Sequence, residues 1–229
     1  MEPFGTRAAL KRAARLRQKK HREAGRLFLA EGQSLISESG EQPQSLFTAP
    51  EDIKRLSTLK TPTGPVGVFP FLDISPEELL ADQDRIILLH GVQDPGNVGT
   101  IIRAAHAFEA GVALTTGCAD LYNPKTVRAT MGSIFHAPVA RELDALEFIE
   151  EAKRADFTPV AAMPEGLDAP RPMQDGRLLL VVGAEGAGLP QEVAAACERT
   201  VTIPSRAASL NAAMAASILL YEAYMRVLP

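Results

Sequence analysis

The sequence predicts an α/β protein whose larger, C-terminal part is a parallel sheet with helices on both faces. Two observations carry this. From residue 86 onward, short apolar runs alternate with helical patterns, the order of a βα-repeating chain. Runs such as "IILL" and "LLLVV" are apolar at every position, as strands buried on both faces are.

The elements follow in order. Residues 7–30 read as helical, with Leu10, Leu16 and Leu27 among charged positions. "LFTA" (46–49) and "VGVFPF" (66–71) read as short strands, separated by the turn "TPTGP". "LDISPEELLADQDR" (72–85) reads as a linker holding a short helix, with Ser75 as cap before Pro76, Glu77 and Glu78. That linker divides a small domain, 1–75, from a larger one, 84–229. In the larger, 86–92 is a strand, 98–109 a helix and 111–117 a strand and turn. "NPKTVRATMG" opens a helix with Asn123 as cap and Pro124 at its first position. A helix over 146–156, a strand over 158–163 and the buried strand of 177–183 follow. The chain then continues with a glycine loop, a helix over 190–199, a strand over 200–204 and a long helix over 209–228.

Composition narrows the function. Of 229 residues, 46% are hydrophobic and 23% charged, ordinary for a chain that buries a core. No apolar run approaches the roughly 18 residues of a membrane span, and the charged N-terminus lacks the apolar stretch of a secretory signal. Cys118 and Cys197, without C-x-x-C spacing, point to a reducing, cytoplasmic setting and to no metal site. The absence of Trp argues against a broad base-stacking surface. The net charge of −4 conceals an asymmetry: residues 7–26 hold nine of the 24 cations and one of the 28 acids. A basic arm on an acidic body suits a polyanion such as nucleic acid, although a solvated helix gives the same pattern. Candidate RNA contacts are Arg12, Arg17, Lys19, Lys20, Arg22 and Arg128.

Parallel sheets bind ligands beyond the carboxyl ends of their strands, and three such ends are unusual here. In "DPGNVGTIIRAAHAFEAG" (94–111), Val98, Ile101, Ile102, Ala105 and Phe108 form an apolar stripe. Arg103 lies nearly opposite that stripe, after Asn97 and Gly99 in the turn. In "VVGAEGAGLP", Gly183, Gly186 and Gly188 permit close backbone approach around Glu185, which could equally cap the next helix. In "IPSRAASLNAAMAAS", Ser209 and Asn211 stand at a helix start, where capping is the ordinary role. The small residues after them suit a tight helix contact or a subunit interface.

These three motifs, in this order and spacing, resemble those of the SpoU/TrmH-type RNA ribose 2′-O-methyltransferases of the SPOUT superfamily. "YNPKTVRATMGSIFHAPV" is similar to the same family, and the likeness covers residues 84–229. "RQKKHREAGRLFLAEG" is similar to the start of the small RNA-binding domain that often precedes it, shortened here between Gly32 and Thr61. Ser205, Arg206 and Ala207 stand where Met and Gly are frequent in the family.

The resemblance implies a trefoil-knotted domain, S-adenosylmethionine as cofactor and a homodimer with its sites at the subunit interface. It implies catalytic roles for Asn97, Arg103, Glu185, Ser209 and Asn211, and cofactor binding at Gly183, Ile203 and Leu210. The family's arginine is assigned as a base; because guanidinium stays protonated, Arg103 also suits a bidentate phosphate clamp. Ribosomal RNA is the expected substrate, with transfer RNA and a non-catalytic RNA-binding role as alternatives. A nicotinamide-dependent oxidoreductase would call for an early G-x-G-x-x-G, which is missing.

Overall fold

A computed structural model describes residues 6–40, 42–164, 176–207 and 209–225. The stretch read as one helix over 7–30 is two helices and a strand: α1 (Arg7–Arg15), α2 (Lys19–Gly25) and β1 (Leu27–Glu31). Arg26 takes a left-handed φ of 47° and ends α2. "LFLA" is then buried on both sides: Phe28 and Ala30 face the large-sheet core, while Leu29 faces α1.

After α3 (Gln33–Ser37) come β2 (Ser45–Phe47), α4 (Pro50–Leu56) and β3 (Val66–Pro70). The strands pair antiparallel in the order β1-β3-β2. One sheet face packs on Leu10, Ala13, Leu16 and Leu56; the other adds Phe28 and Phe69 to the core of the larger module.

The linker holds α5 (Pro76–Asp82). Ser75 Oγ accepts from Glu78 N at 3.1 Å and Glu78 Oε2 accepts from Ser75 N at 2.9 Å, a complete capping box.

The larger module continues with β4 (Arg85–His90), α6 (Pro95–Ala107), β5 (Gly111–Thr115), α7 (Pro124–Ala129) and a single 3-10 turn at Ser133–Phe135. Next are β6 (Val139–Leu143), α8 (Ala145–Arg154), β7 (Phe157–Ala162) and β8 (Arg177–Gly183). The described chain ends with α9 (Gln191–Ala196), β9 (Arg199–Val201) and α10 (Ala212–Met225). Six parallel strands run in the order β6-β5-β4-β8-β7-β9. Residues 139–143 carry no apolar run; "VAREL" is a sheet-edge strand with exposed and half-buried positions at its end. Ile87, Leu89, Leu180 and Val182 pack with residues of α6 and α10 on one face, and Ile86, Leu88, Leu179 and Val181 with residues of α8 and α9 on the other. At Gly99 a β-carbon would lie 2.4 Å from Ala129 Cβ and 2.7 Å from Thr126 O, so glycine lets α6 and α7 touch.

The two modules meet around Tyr122, which is fully buried. Its hydroxyl accepts from Leu72 N (2.6 Å) and Asp73 N (2.8 Å) and donates to Asp73 Oδ1 (2.7 Å). Its ring stacks on Phe71 at 3.8 Å. The Arg141 guanidinium lies over Phe71 and pairs with Glu23 (2.9 Å) and Asp73 (3.3 Å).

Candidate active site

The site lies beyond the carboxyl ends of β4, β8 and β9. Asp94 opens α6 by accepting from Asn97 N at 3.0 Å, with Pro95 at the first helical position. Lys125 Nζ, 2.9 Å from Asp94 Oδ2, ties this turn to α7. Lys125 and the Asn97 N–H hold the Asp94 carboxyl below the usual carboxylate range.

The second loop leaves β8 at Gly183 and doubles back. Gly188 N donates to Ala184 O at 2.9 Å, with Gly186 and Gly188 at left-handed φ of 76° and 65°. A β-carbon on Gly183 would lie 2.3 Å from the Gly188 carbonyl, so the loop closes only over glycine. The turn carries Glu185 to the starts of α6 and α10. In the third loop Asn211 Oδ1 accepts from Ala213 N (3.0 Å) and Met214 N (3.1 Å), capping α10.

Asn211 is therefore a cap, and it is also more. Its Nδ2 donates to Asn97 Oδ1 at 3.1 Å and to Glu185 Oε1. Asn97 Nδ2 donates to the same Glu185 oxygen at 2.7 Å, and Ala212 N lies 3.4 Å from it. A carboxylate at the N-terminus of the 14-residue α10 also meets the positive end of the helix dipole. Glu185 serves this junction and not the helix after Pro190. Three of the sequence-predicted residues, from three loops, thus form one network.

Beside the network is a cleft of about 320 Å³, lined by Gly183, Ile203, Ser209, Leu210, Val182 and Leu219 among others. Met163, at the end of β7, also lines it; the sequence places it in a strand over 158–163 and assigns it no part in the site. The cleft joins apolar side chains to exposed loop backbone, the combination a purine nucleoside needs: flat apolar walls and polar edges. The residues present fit an S-adenosylmethionine group.

Arg103 is absent from the cleft. It lies six residues after Asn97, about 120° round α6 at 100° per residue. It is exposed and, among the described residues, without a partner. Of the basic candidates, Arg12, Arg17, Lys19 and Lys20 are exposed. Arg22 is a correction: its side chain is 4% exposed, donates to Leu16 O at 2.8 Å and pairs with Asp120. Burial with a carboxylate partner makes it a strut between the modules, unavailable to RNA. Arg128 donates to Thr58 Oγ1 at 3.0 Å and also links the modules. Among the described residues no cluster of His, Cys, Asp and Glu is arranged to hold a metal ion, and no helix is long and apolar enough to cross a membrane.

The fold and cleft define an α/β enzyme with a ligand site built from three loops at strand ends. Residues 84–221 match the SpoU rRNA Methylase family, and the chain belongs to that family: it is an RNA methyltransferase. It is 32% identical over 237 residues to the 23S rRNA (guanosine(2553)-2′-O)-methyltransferase RlmP of Bacillus subtilis (strain 168), covering 91% of this chain and 92% of that protein. An rRNA methyltransferase from Sinorhizobium meliloti, solved with AdoMet bound, superposes with a TM-score of 0.85 at 31% identity, over 100% of this chain and 98% of the other. The SpoU methyltransferase AviRb from Streptomyces viridochromogenes, in complex with AdoMet, gives 0.84 at 28% identity, over 96% and 98%.

Proposed function

We propose that the protein transfers the methyl group of S-adenosylmethionine to a ribose 2′-oxygen in ribosomal RNA, in the cytoplasm. The observation that carries this is the meeting of Asn97, Glu185 and Asn211 beside the cleft of Gly183, Ile203 and Leu210. Ribosomal RNA is favoured over transfer RNA because RlmP and the Sinorhizobium meliloti enzyme, both matched along nearly the whole chain, carry rRNA names.

S-adenosylmethionine supplies an electrophilic sulfonium methyl. The protein's part is chiefly positioning, which contributes much of the rate in such a transfer. Gly183, Ile203 and Leu210 hold the cofactor. The Asn97–Glu185–Asn211 network fixes the three loops, and Ser209 at the cleft orients the ribose. The Arg103 guanidinium clamps the neighbouring phosphate bidentately and favours the developing alkoxide.

Arg103 does not line its own chain's cleft, which in this reading makes the working form a homodimer that brings it to a neighbour's. Met214, Tyr221 and Met225 are 54%, 46% and 45% exposed and, with Ile218, form one stripe along α10. The Tyr221 ring meets Phe108 at 5.7 Å, which makes the stripe continuous with the end of α6. A second chain covering this face carries Arg103 to its neighbour's cleft. The trefoil knot belongs to the same proposal, supported by the return of 209–211 against the 183–188 loop. Residues 1–75 form the RNA-binding domain, with Arg12, Arg17, Lys19 and Lys20 on its exposed face.

The test is methyl transfer from labelled S-adenosylmethionine to deproteinised 23S and 16S ribosomal RNA and to bulk transfer RNA, with mapping of 2′-O-methylated positions. Label at one rRNA ribose is expected. Label in transfer RNA alone would overturn the substrate, and label on bases would overturn the chemistry.

A further inference from the structure

His106 and His136 stack at 4.8 Å between ring centroids with 21° between planes. His106 follows Arg103 by three residues on α6, so the two side chains share a helix face with β-carbons about 5–6 Å apart. His106 Nδ1 is 3.1 Å from Ser133 Oγ. His136 Nε2 is 3.8 Å from Glu38 Oε2, which comes from the end of α3 in the small module. Both histidines are exposed. The contact with the small module is close: at Gly132, φ 98°, a β-carbon would lie 2.6 Å from Glu38 Cβ. Two imidazoles and a guanidinium therefore gather where the candidate RNA-binding module meets the helix of Arg103.

The charged groups around the pair are few. Arg103 lies one turn before His106, and Glu109, 3.7 Å from Arg85, one turn after it. Glu38 is the acid facing the rings. Partial burial lowers the His106 pKa, the neighbouring His136 lowers it further, and Glu38 opposes both. Glu38 sets one carboxylate beside the rings; a backbone phosphate would bring a further negative charge and acceptor oxygens to the imidazoles and the guanidinium.

We propose that His106, His136 and Arg103 seat a backbone phosphate of the RNA strand that carries the target ribose. This rests on the RNA methyltransferase reading above. The histidines are positioning residues: they hold the strand and touch none of the reacting atoms. A bound phosphate favours the protonated His106 ring, which burial and the neighbouring His136 otherwise disfavour, so strand binding tightens as pH falls.

The experiment measures KM for deproteinised 23S ribosomal RNA and kcat between about pH 8 and about pH 6. It compares wild type, the double variant His106→Gln/His136→Gln, and His136→Arg, with cofactor affinity by calorimetry. For wild type, KM is expected to fall about three- to tenfold toward low pH, the signature of one linked proton. The double variant should show a raised KM, a flat profile, a salt slope smaller by about 0.7 and unchanged kcat and cofactor affinity. His136→Arg should hold a low KM at every pH. A double variant with wild-type KM, pH profile and salt slope overturns the phosphate seat alone. Wild type that methylates no RNA overturns the underlying reading and this proposal with it.

Discussion

Asn211 and Asn97, 114 residues apart in sequence, are joined by a 3.1 Å hydrogen bond between their side-chain amides. Each also donates to one oxygen of Glu185. Neither asparagine is ionisable, so the one formal charge in the junction is the Glu185 carboxylate that both amides meet. All three residues are exposed, or half-buried in the case of Asn97, so little global stability rests on them. Asn97→Ala and Glu185→Ala are each expected to lower methyl transfer about 10²-fold or more, in the range seen when one preorganised polar contact is removed. Thermal melting should move by only a few degrees, since surface changes usually stay within about ±0.5 kcal/mol. Single-turnover transfer beside a melting curve checks both.

Arg103→Ala should leave the fold at wild-type stability, because the side chain is exposed and unpartnered among the described residues. The rate should fall about 10²–10⁴-fold, roughly 3–5 kcal/mol of barrier. Arg103→Lys should recover part of this, since an ammonium lacks the bidentate fork. Mixing Arg103→Ala chains with chains disabled at Asn97 should restore some activity if the site is shared across a dimer; failure of that mixture would sink the shared site.

Gly183→Ala places a methyl 2.3 Å from the Gly188 carbonyl and 2.6 Å from Leu189 N. Backbone cannot rotate away as a side chain can, so the loop must open. A destabilisation of about 1–3 kcal/mol is expected, with weaker S-adenosylmethionine binding by calorimetry. Gly186→Ala meets no atoms but has a left-handed φ of 76°, and should cost about 1 kcal/mol.

Tyr122→Phe removes the acceptor of two backbone N–H groups and the donor to Asp73. A loss of about 1–3 kcal/mol is expected from the stranded groups. Burial raises the Asp73 pKa, but the Tyr122 hydroxyl, Arg141 and Arg26 outweigh it and leave the carboxyl below its ordinary value. A depressed folded pKa stabilises fully above the unfolded value of about 3.9 and less as pH falls through the folded one. Tyr122 is shifted upward, by burial first and then by Asp73. Its contribution is present below about pH 10 and is lost as pH rises further. Urea titrations should show losses at both extremes, smaller in Tyr122→Phe.

Tyr221→Arg with Met214→Glu puts two charges on the exposed stripe of α10. Light scattering should report monomers at micromolar concentration, with the same circular dichroism as wild type. A monomeric wild type would contradict the dimer directly.

The parallel sheet was legible because its central strands, β4 and β8, carry the continuous apolar runs "IILL" and "LLLVV", and α6 and α10 because their patterns are long. The break after α2 was not: "LFLA" continues the apolar spacing of the preceding helix, and only Gly25 and the left-handed Arg26 separate them. The edge strand β6 lacks an apolar run altogether. At the site, residue types and order pointed to Asn97, Glu185 and Asn211. Nothing local could reveal that one carboxylate oxygen receives both amides, because that contact spans three loops. Arg22 misled for the opposite reason: its partner Asp120 lies 98 residues away, and a basic stretch looks the same whether its members face solvent or core.

The double role of Asn211 has a consequence for biosynthesis. The chain is made from the N-terminus, so the loops bearing Asn97 and Glu185 exist well before α10. Asn211 can close the junction only when the helix it caps has enough residues to form its first turns. The junction is therefore completed only after the sheet, and a nascent chain holding the complete sheet but not α10 lacks the Asn211 contacts to Asn97 and Glu185.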